Sequence, residues 1–300
     1  MHQNCLRRSR LLIRLWQNKQ ILYRDEISAA ISPMECTNLE KLKLVFMLTP
    51  NSGKTTIVAE NPRIEIGERR YGALKAIDAL ETILEILRKL NLDEKFQAQG
   101  SFLQLKKLLA SVANTNRLTP IETSTLSFKY GAIADAEHCY VEIKEKIPGA
   151  SIDWDLWVAP FVVSPHFVQA WVADVEYDKW QNAEDPLIYK AANRDYSSLP
   201  MRSNGLPPPV EQMVVDISHN PGRWSLRSGY VEAVGSVMWL SDIFWSCVGI
   251  QHRERLSALD PIEIKQVADK VIRLCVSDST FTEASSREVQ DRLRDALYSR

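Results

Sequence analysis

Residues 42–48 read LKLVFML and residues 71–90 read YGALKAIDALETILEILRKL, and these two stretches together decide the fold class. The first is short and rich in strand formers. The second places Leu74, Ile77, Leu80, Leu84, Leu87 and Leu90 at spacings of three and four, the period of one helix face. Between them, 55–60 and 63–66 read as two more strands, separated by Asn-Ser-Gly and Asn-Pro turn signals. A strand meander followed by an amphipathic helix predicts an α+β protein, with short antiparallel strands packed against amphipathic helices.

Working outward, a second helix is expected over 101–112, with Leu105, Leu108, Leu109 and Val112 on one side. Residues 114–125 are polar, contain Pro120 and follow neither period. They are the expected boundary between two subdomains, 39–118 and 119–300; a long loop within one domain is the other reading. Strands are expected at 125–130 and 140–146. Ser164-Pro165 reads as a helix start that would align Phe167, Trp171 and Val175, although Trp171, Ala173, Val175 and Tyr177 also alternate as in a strand. Residues 185–209 read as loop, 213–217 as a strand and 220–222 as a turn. Helices are expected over 230–244, from Asp260-Pro261 through Leu274, and from Ser285 to Leu297.

The 300 residues carry 37 basic and 38 acidic side chains, and 45% are hydrophobic. That composition belongs to a globular chain with a proper core, and a net charge of −1 provides no long-range field for nucleic acid or an anionic membrane. Cys5, Cys36, Cys139, Cys247 and Cys275 are scattered and odd in number, as expected of reduced thiols in the cytoplasm. No stretch is apolar enough for a membrane span. Residues 1–38 form a basic extension, with Arg7, Arg8, Arg10, Arg14, Lys19 and Arg24 ahead of the first acid, Asp25. Three readings remain for it: a basic amphipathic helix, a targeting segment, or residues upstream of a start at Met34 or Met47.

Candidate chemistry is sparse. Ser52-Gly53-Lys54-Thr55-Thr56 follows an apolar strand but lacks the first glycine of a phosphate loop, so it reads as a turn. No catalytic set, metal site or cofactor site is expected. Seven of the eight tryptophans lie between 154 and 245, and Asp174, Glu176, Asp178, Glu184 and Asp185 lie among them with Trp180. On a strand the first three acids would share one face; on a helix Asp174 and Asp178 would stack while Glu176 pointed away. These six residues are the expected partner-binding surface. Asp153, Asp155 and Glu232, near Trp154 and Trp157, could instead serve acid/base work on a carbohydrate, and Arg223 in Asn220-Pro221-Gly222-Arg223 could meet an anion.

The region 171–245 strings together Tyr177-Asp178-Lys179-Trp180-Gln181-Asn182, Ser203-Asn204-Gly205-Leu206-Pro207, Asn220-Pro221-Gly222-Arg223, Gly229-Tyr230-Val231-Glu232-Ala233-Val234-Gly235 and Met238-Trp239-Leu240. It resembles immunity proteins encoded beside bacterial polymorphic toxins, including effectors of the type VI secretion system. The resemblance covers about a quarter of the chain. It implies a cytoplasmic, non-enzymatic protein that occludes a cognate protein toxin, a nuclease with a basic cleft being one class that an acidic face would fit. It leaves the oligomeric state open. A carbohydrate-acting or metal-dependent hydrolase is the alternative, and a scaffold or adaptor is a third reading.

Overall fold

The computed structural model describes residues 39–49, 71–72, 74–148, 152–256, 259, 262–283, 285 and 287–299. The readings made for 1–38, 52–56, 55–60 and 63–66 lie outside these residues. In chain order the elements are β1 (Glu40–Thr49), β2 (Tyr71–Gly72), α1 (Ala76–Lys89), β3 (Gln97–Ala98), β4 (Ser101–Phe102), α2 (Leu105–Thr115), β5 (Ile121–Glu122), β6 (Leu126–Ile133) and β7 (His138–Glu145). After these come α3 (Trp154–Val162), β8 (Phe167–Asp174), α4 (Val175–Asn182), α5 (Pro186–Ala191), β9 (Met201–Ser203) and β10 (Met213–Val215). The chain continues with β11 (Ser225–Arg227), β12 (Tyr230–Glu232), β13 (Val237–Ser241), α6 (Asp242–Val248), α7 (Gln251–Leu256), β14 (Glu263–Ala268), β15 (Val271–Cys275) and α8 (Arg287–Tyr298).

Among the described residues an antiparallel sheet of 11 strands forms, in the order β14-β15-β13-β8-β1-β7-β6-β5-β3-β4 with β2 added to β1. The expected α+β class is therefore what the chain adopts. Alternate residues of a strand face opposite ways, so Leu42, Leu44, Phe46 and Leu48 of β1 share one face with Val141 and Ile143 of β7 and with Ala170 and Val172 of β8. This face packs in one core with Leu80, Ile83, Leu84 and Leu87 of α1 and with Trp157 and Phe161 of α3. Phe46 meets Phe161 at 5.9 Å between ring centroids, and Phe128 meets Trp157 at 6.1 Å. The helix begins at Ala76 because a distant side chain caps it: the Ala76 N–H donates to Asn116 Oδ1 at 2.9 Å.

Three expected helices are strands, each for a physical reason. β8 lies between β1 and β13 and is buried on both faces, so its apolar residues are nearly continuous and mimic a helix face. Residues 230–241 form β12 and β13, with helix only from Asp242, where the Phe244 N–H donates to Ser241 Oγ at 3.4 Å. The stretch after Asp260 forms the hairpin β14–β15, whose register shifts between Gln266 and Ala268. That bulge breaks the two-residue alternation and leaves Ile264, Val267, Val271 and Leu274 at helical spacing. The loop expected over 185–209 also contains α5 and β9.

The division expected at 118/119 falls between strands of one sheet. β5, β6 and β7 extend the sheet that contains β1, so strands on both sides of that point belong to one structure. The compact units run differently: Tyr177–Arg223 forms one, and the sheet with its helices forms the other.

Candidate functional site

The acidic stretch does not present one face. β8 ends at Asp174, whose register partner is Glu40, and the chain turns helical at Val175. Asp174, Asp178 and Trp180 are buried, and Glu176 is exposed, as helical rather than strand geometry requires. Glu184 accepts from Arg202 Nη2 at 3.2 Å, and its main-chain carbonyl accepts from the Val215 N–H at 2.8 Å. Asp185 caps α5, accepting from the Leu187 N–H at 2.8 Å ahead of Pro186. Of the acids expected in the partner-binding surface, Glu176 is exposed and Glu184 and Asp185 are partly exposed, the latter two also holding local structure.

The Tyr177–Arg223 unit is built around Trp180, which packs with Ala183, Ile188, Tyr189, Val215 and Ile217. Its ring lies 5.1 Å from Tyr189, which lies 5.7 Å from Tyr196. Lys179 Nζ stands 4.8 Å and the Arg194 guanidinium 4.5 Å from the Trp180 ring centroid. The 220–223 segment is a clamp within this unit. Asn220 Nδ2 donates to the Gln181 carbonyl at 3.0 Å, and the Gly222 N–H donates to Gln181 Oε1 at 2.9 Å. A Cβ at Gly222 would stand 2.7 Å from both Gln181 Cγ and Tyr177 Cε1, so only glycine fits the approach. Arg223 Nη1 donates to the Asn220 carbonyl at 2.7 Å, which makes it part of the turn.

One accessible feature of this unit is the hairpin β9–β10. Its strands pair Met201 with Val215 and Met213 with Ser203. Asn204 organises the connecting loop from within. Its Oδ1 accepts from the Leu206 N–H at 3.1 Å and the Gln212 N–H at 3.2 Å, and its Nδ2 donates to the Val210 carbonyl at 3.1 Å. Ser203 Oγ donates to Glu211 Oε1 at 3.0 Å and accepts from the Gly205 N–H at 3.1 Å. Arg202 lies between Glu184 and Asp216, 3.2 and 3.6 Å away. The loop is thus held by its own polar groups while Met201, Val210 and Met213 stay in solvent at 38%, 48% and 56% exposure. The sequence places Asn204-Gly205 within the loop expected over 185–209, but the connection between β9 and β10 runs over 204–212, longer than the two-residue Asn-Gly hairpin that a sequence displays.

No protein-family model matches the chain, and no curated protein matches it in sequence. Among solved structures it is similar to the Pseudomonas aeruginosa T6SS protein PA0821. The TM-score is 0.46 at 10% identity, over 89% of this chain and 74% of that one. So low a likeness carries no functional argument, and the α+β class rests on the strand order above.

The residues proposed for acid/base work have separate structural partners. Asp153 caps α3 through the Asp155 N–H at 3.0 Å. Asp155 Oδ1 accepts from Trp239 Nε1 and from Arg273 Nε, each at 3.1 Å, and Glu232 accepts from Arg227 Nη2 at 2.9 Å. All seven tryptophans between 154 and 245 are buried, so none offers a ring face to a sugar. Among the described residues no group of three His, Cys, Asp or Glu side chains is placed to hold a metal, and no helix is long and apolar enough to cross a membrane. Cys139, Cys247 and Cys275 are free thiols, with burial pushing Cys139 up to about 11.

Proposed function

We propose that this chain is an immunity protein: it binds a bacterial protein toxin one-to-one in the cytoplasm and blocks it by occlusion, without catalysis or a cofactor of its own. The resemblance over 171–245 supports this reading, and the β9–β10 hairpin is the observation that carries it. A loop ordered by its own hydrogen bonds loses little conformational entropy on binding. Methionines add adaptable apolar contact, and a few such anchors supply most of an interface's affinity. Residues Glu184 and Asp185, at the base of the same unit, would set charge complementarity at the rim.

The test is co-expression with the product of the adjacent gene, followed by light scattering of the purified complex and a growth-protection assay. A one-to-one complex and protected cells are expected. Met201→Asp combined with Met213→Asp should weaken the complex at least about tenfold with an unchanged circular dichroism spectrum. Full protection by the folded double variant would move the interface elsewhere. Hydrolysis of a glycan or phosphoester by the purified protein alone would replace the immunity reading with the hydrolase one.

A further inference from the structure

Among the described residues the 11-stranded sheet ends at β14 on one side and at β4 on the other. β4 has two residues, too few to carry a further strand, whereas β14 has six. Glu263, Ile264, Lys265, Gln266 and Val267 are all exposed, so this edge lies open to solvent. An edge strand keeps alternate main-chain N–H and C=O groups pointing away from its neighbour, here β15, and these are the groups that another strand would pair with. Ile264 and Val267, each 39% exposed, stand beside that row.

Two features limit what can pair there. The register shift between Gln266 and Ala268 bends the strand and ends regular pairing at Gln266. Lys265, within the remaining run, is an edge charge that disfavours any strand without an acid opposite it. Its register partner on β15 is Arg273, a second cation, whose Nε is held by Asp155 at 3.1 Å. Glu263 lies two residues before Lys265 and so on the same face. It is 4.0 Å from Arg273 Nη1, the limit of an ion pair, and is 68% exposed. The order acid, apolar, cation in Glu263-Ile264-Lys265 is its own complement when run antiparallel. Setting Ile264 opposite Ile264 of a second copy puts Glu263 opposite the partner's Lys265, and Lys265 opposite the partner's Glu263. No other antiparallel register does so.

We propose that β14 pairs antiparallel with β14 of a second copy of this chain, about a two-fold axis at Ile264, so that two sheets become one. Such an interface repeats each contact, and the ion pair between Glu263 and Lys265 forms twice. Opposite charges directly across two strands favour pairing and like charges oppose it, so the lysine that blocks other strands selects this one. A net charge of −1 leaves little repulsion between two copies. A contact confined to residues 262–266 is small, and small interfaces are weak, so monomer and dimer should exchange with concentration. The inference does not rest on the immunity reading, and a dimer keeps a one-to-one ratio with any bound toxin.

Sedimentation equilibrium of the full chain over a range of concentrations tests it. The mass should rise from that of one chain, 34.2 kDa, toward twice that value and stop there. Lys265→Glu, and separately Glu263→Lys, sets like charges opposite each other and should weaken the dimer about tenfold. The two changes combined restore opposite charges and should recover dimerisation. Circular dichroism melts check that each variant folds. Hydrogen exchange of the unaltered chain should show the amides of 263–266 gaining protection as concentration rises, and it decides the matter if a variant does not fold. A single-chain mass at every concentration overturns the proposal, as does growth past the dimer. So do unchanged dimerisation in both single reversals, no recovery in the combined variant, or β14 amides that stay unprotected in the dimer.

Discussion

The two compact units hold themselves together by different means. The sheet unit buries long strands under two helices, with Leu42, Leu44, Phe46, Phe128, Trp157 and Phe161 in one core. The Tyr177–Arg223 unit has a far smaller apolar cluster around Trp180, reinforced by two cations over its ring and by side chains clamped onto main chain. A short segment buries too little surface for hydrophobic burial alone to order it. Side-chain hydrogen bonds and close glycine packing make up the difference, so this unit should be brittle where the sheet is tolerant.

Paired tryptophan truncations should separate the two most clearly. Trp157→Ala should cost about 3–5 kcal/mol and lower the whole melting transition, since its ring fills the shared core. Trp180→Ala should instead expose 177–223 to hydrogen exchange and limited proteolysis while β1, β7 and β8 stay protected. Equal loss of protection throughout the chain in both variants would show that the units do not differ in this way.

Acid should act on the sheet unit first through His138. Burial holds its imidazole at about 4, with bonds to the Ala136 and Arg227 carbonyls opposing the shift. Below the ordinary 6.5 the unfolded chain takes up a proton that the folded chain refuses. Stability should therefore fall as pH drops from about 6.5 to about 4, by about 3 kcal/mol, and then level off for this group. Urea titrations at several pH values should show a shallower slope for His138→Gln. Glu145, raised by burial and the neighbouring Glu40, acts in the opposite sense, gaining stability as pH falls through its folded value; it is common to both proteins and cancels in the comparison. Burial works to raise the Glu142 carboxyl, but Lys43 and the lysines beside it hold it at about 2, so its contribution is lost only at lower pH, from about 4.5 downward.

Gly222→Ala tests the small unit's clamp. Its Cβ would meet Gln181 and Tyr177, and the cost should be about 1–3 kcal/mol, read as earlier proteolysis within 177–223. Asn204→Ala should have the smallest effect, about 1 kcal/mol or less, because the loop it organises is exposed. Its mark should be faster exchange of the Leu206 and Gln212 amides. If the amides exchange as before, the loop is ordered by something other than Asn204.

Charge placement separates what was legible from what was not. Asp174 to Asp185 lie together in the chain, yet the fold buries two of the acids, uses one as a helix cap and pairs another with Arg202. Lys41, Lys43, Lys129 and Lys144 are spread over more than a hundred positions, yet strand register brings them around one glutamate. Neighbourhood along a chain says little about charge clustering once antiparallel pairing rearranges it. The hairpin loop was marked by Asn204-Gly205, but its rigidity depends on bonds to Val210 and Gln212 that no local pattern displays.

By itself the sequence determined the α+β class, the strands read at 42–48, 125–130 and 140–146, and the helices whose apolar faces are unmistakable, α1 and α8. In the two later strands and in both helices buried positions recur with the period of the element, so that period is written directly in the residues, whereas 42–48 was legible from its run of strand formers. Only the tertiary structure decided the identity of β8, β13 and the β14–β15 hairpin, the true unit boundaries, and which charges meet. A strand buried on both faces has no period, and a bulge shifts the one it has. Which residues become neighbours across a sheet depends on pairing between segments far apart in the chain, which no single segment encodes.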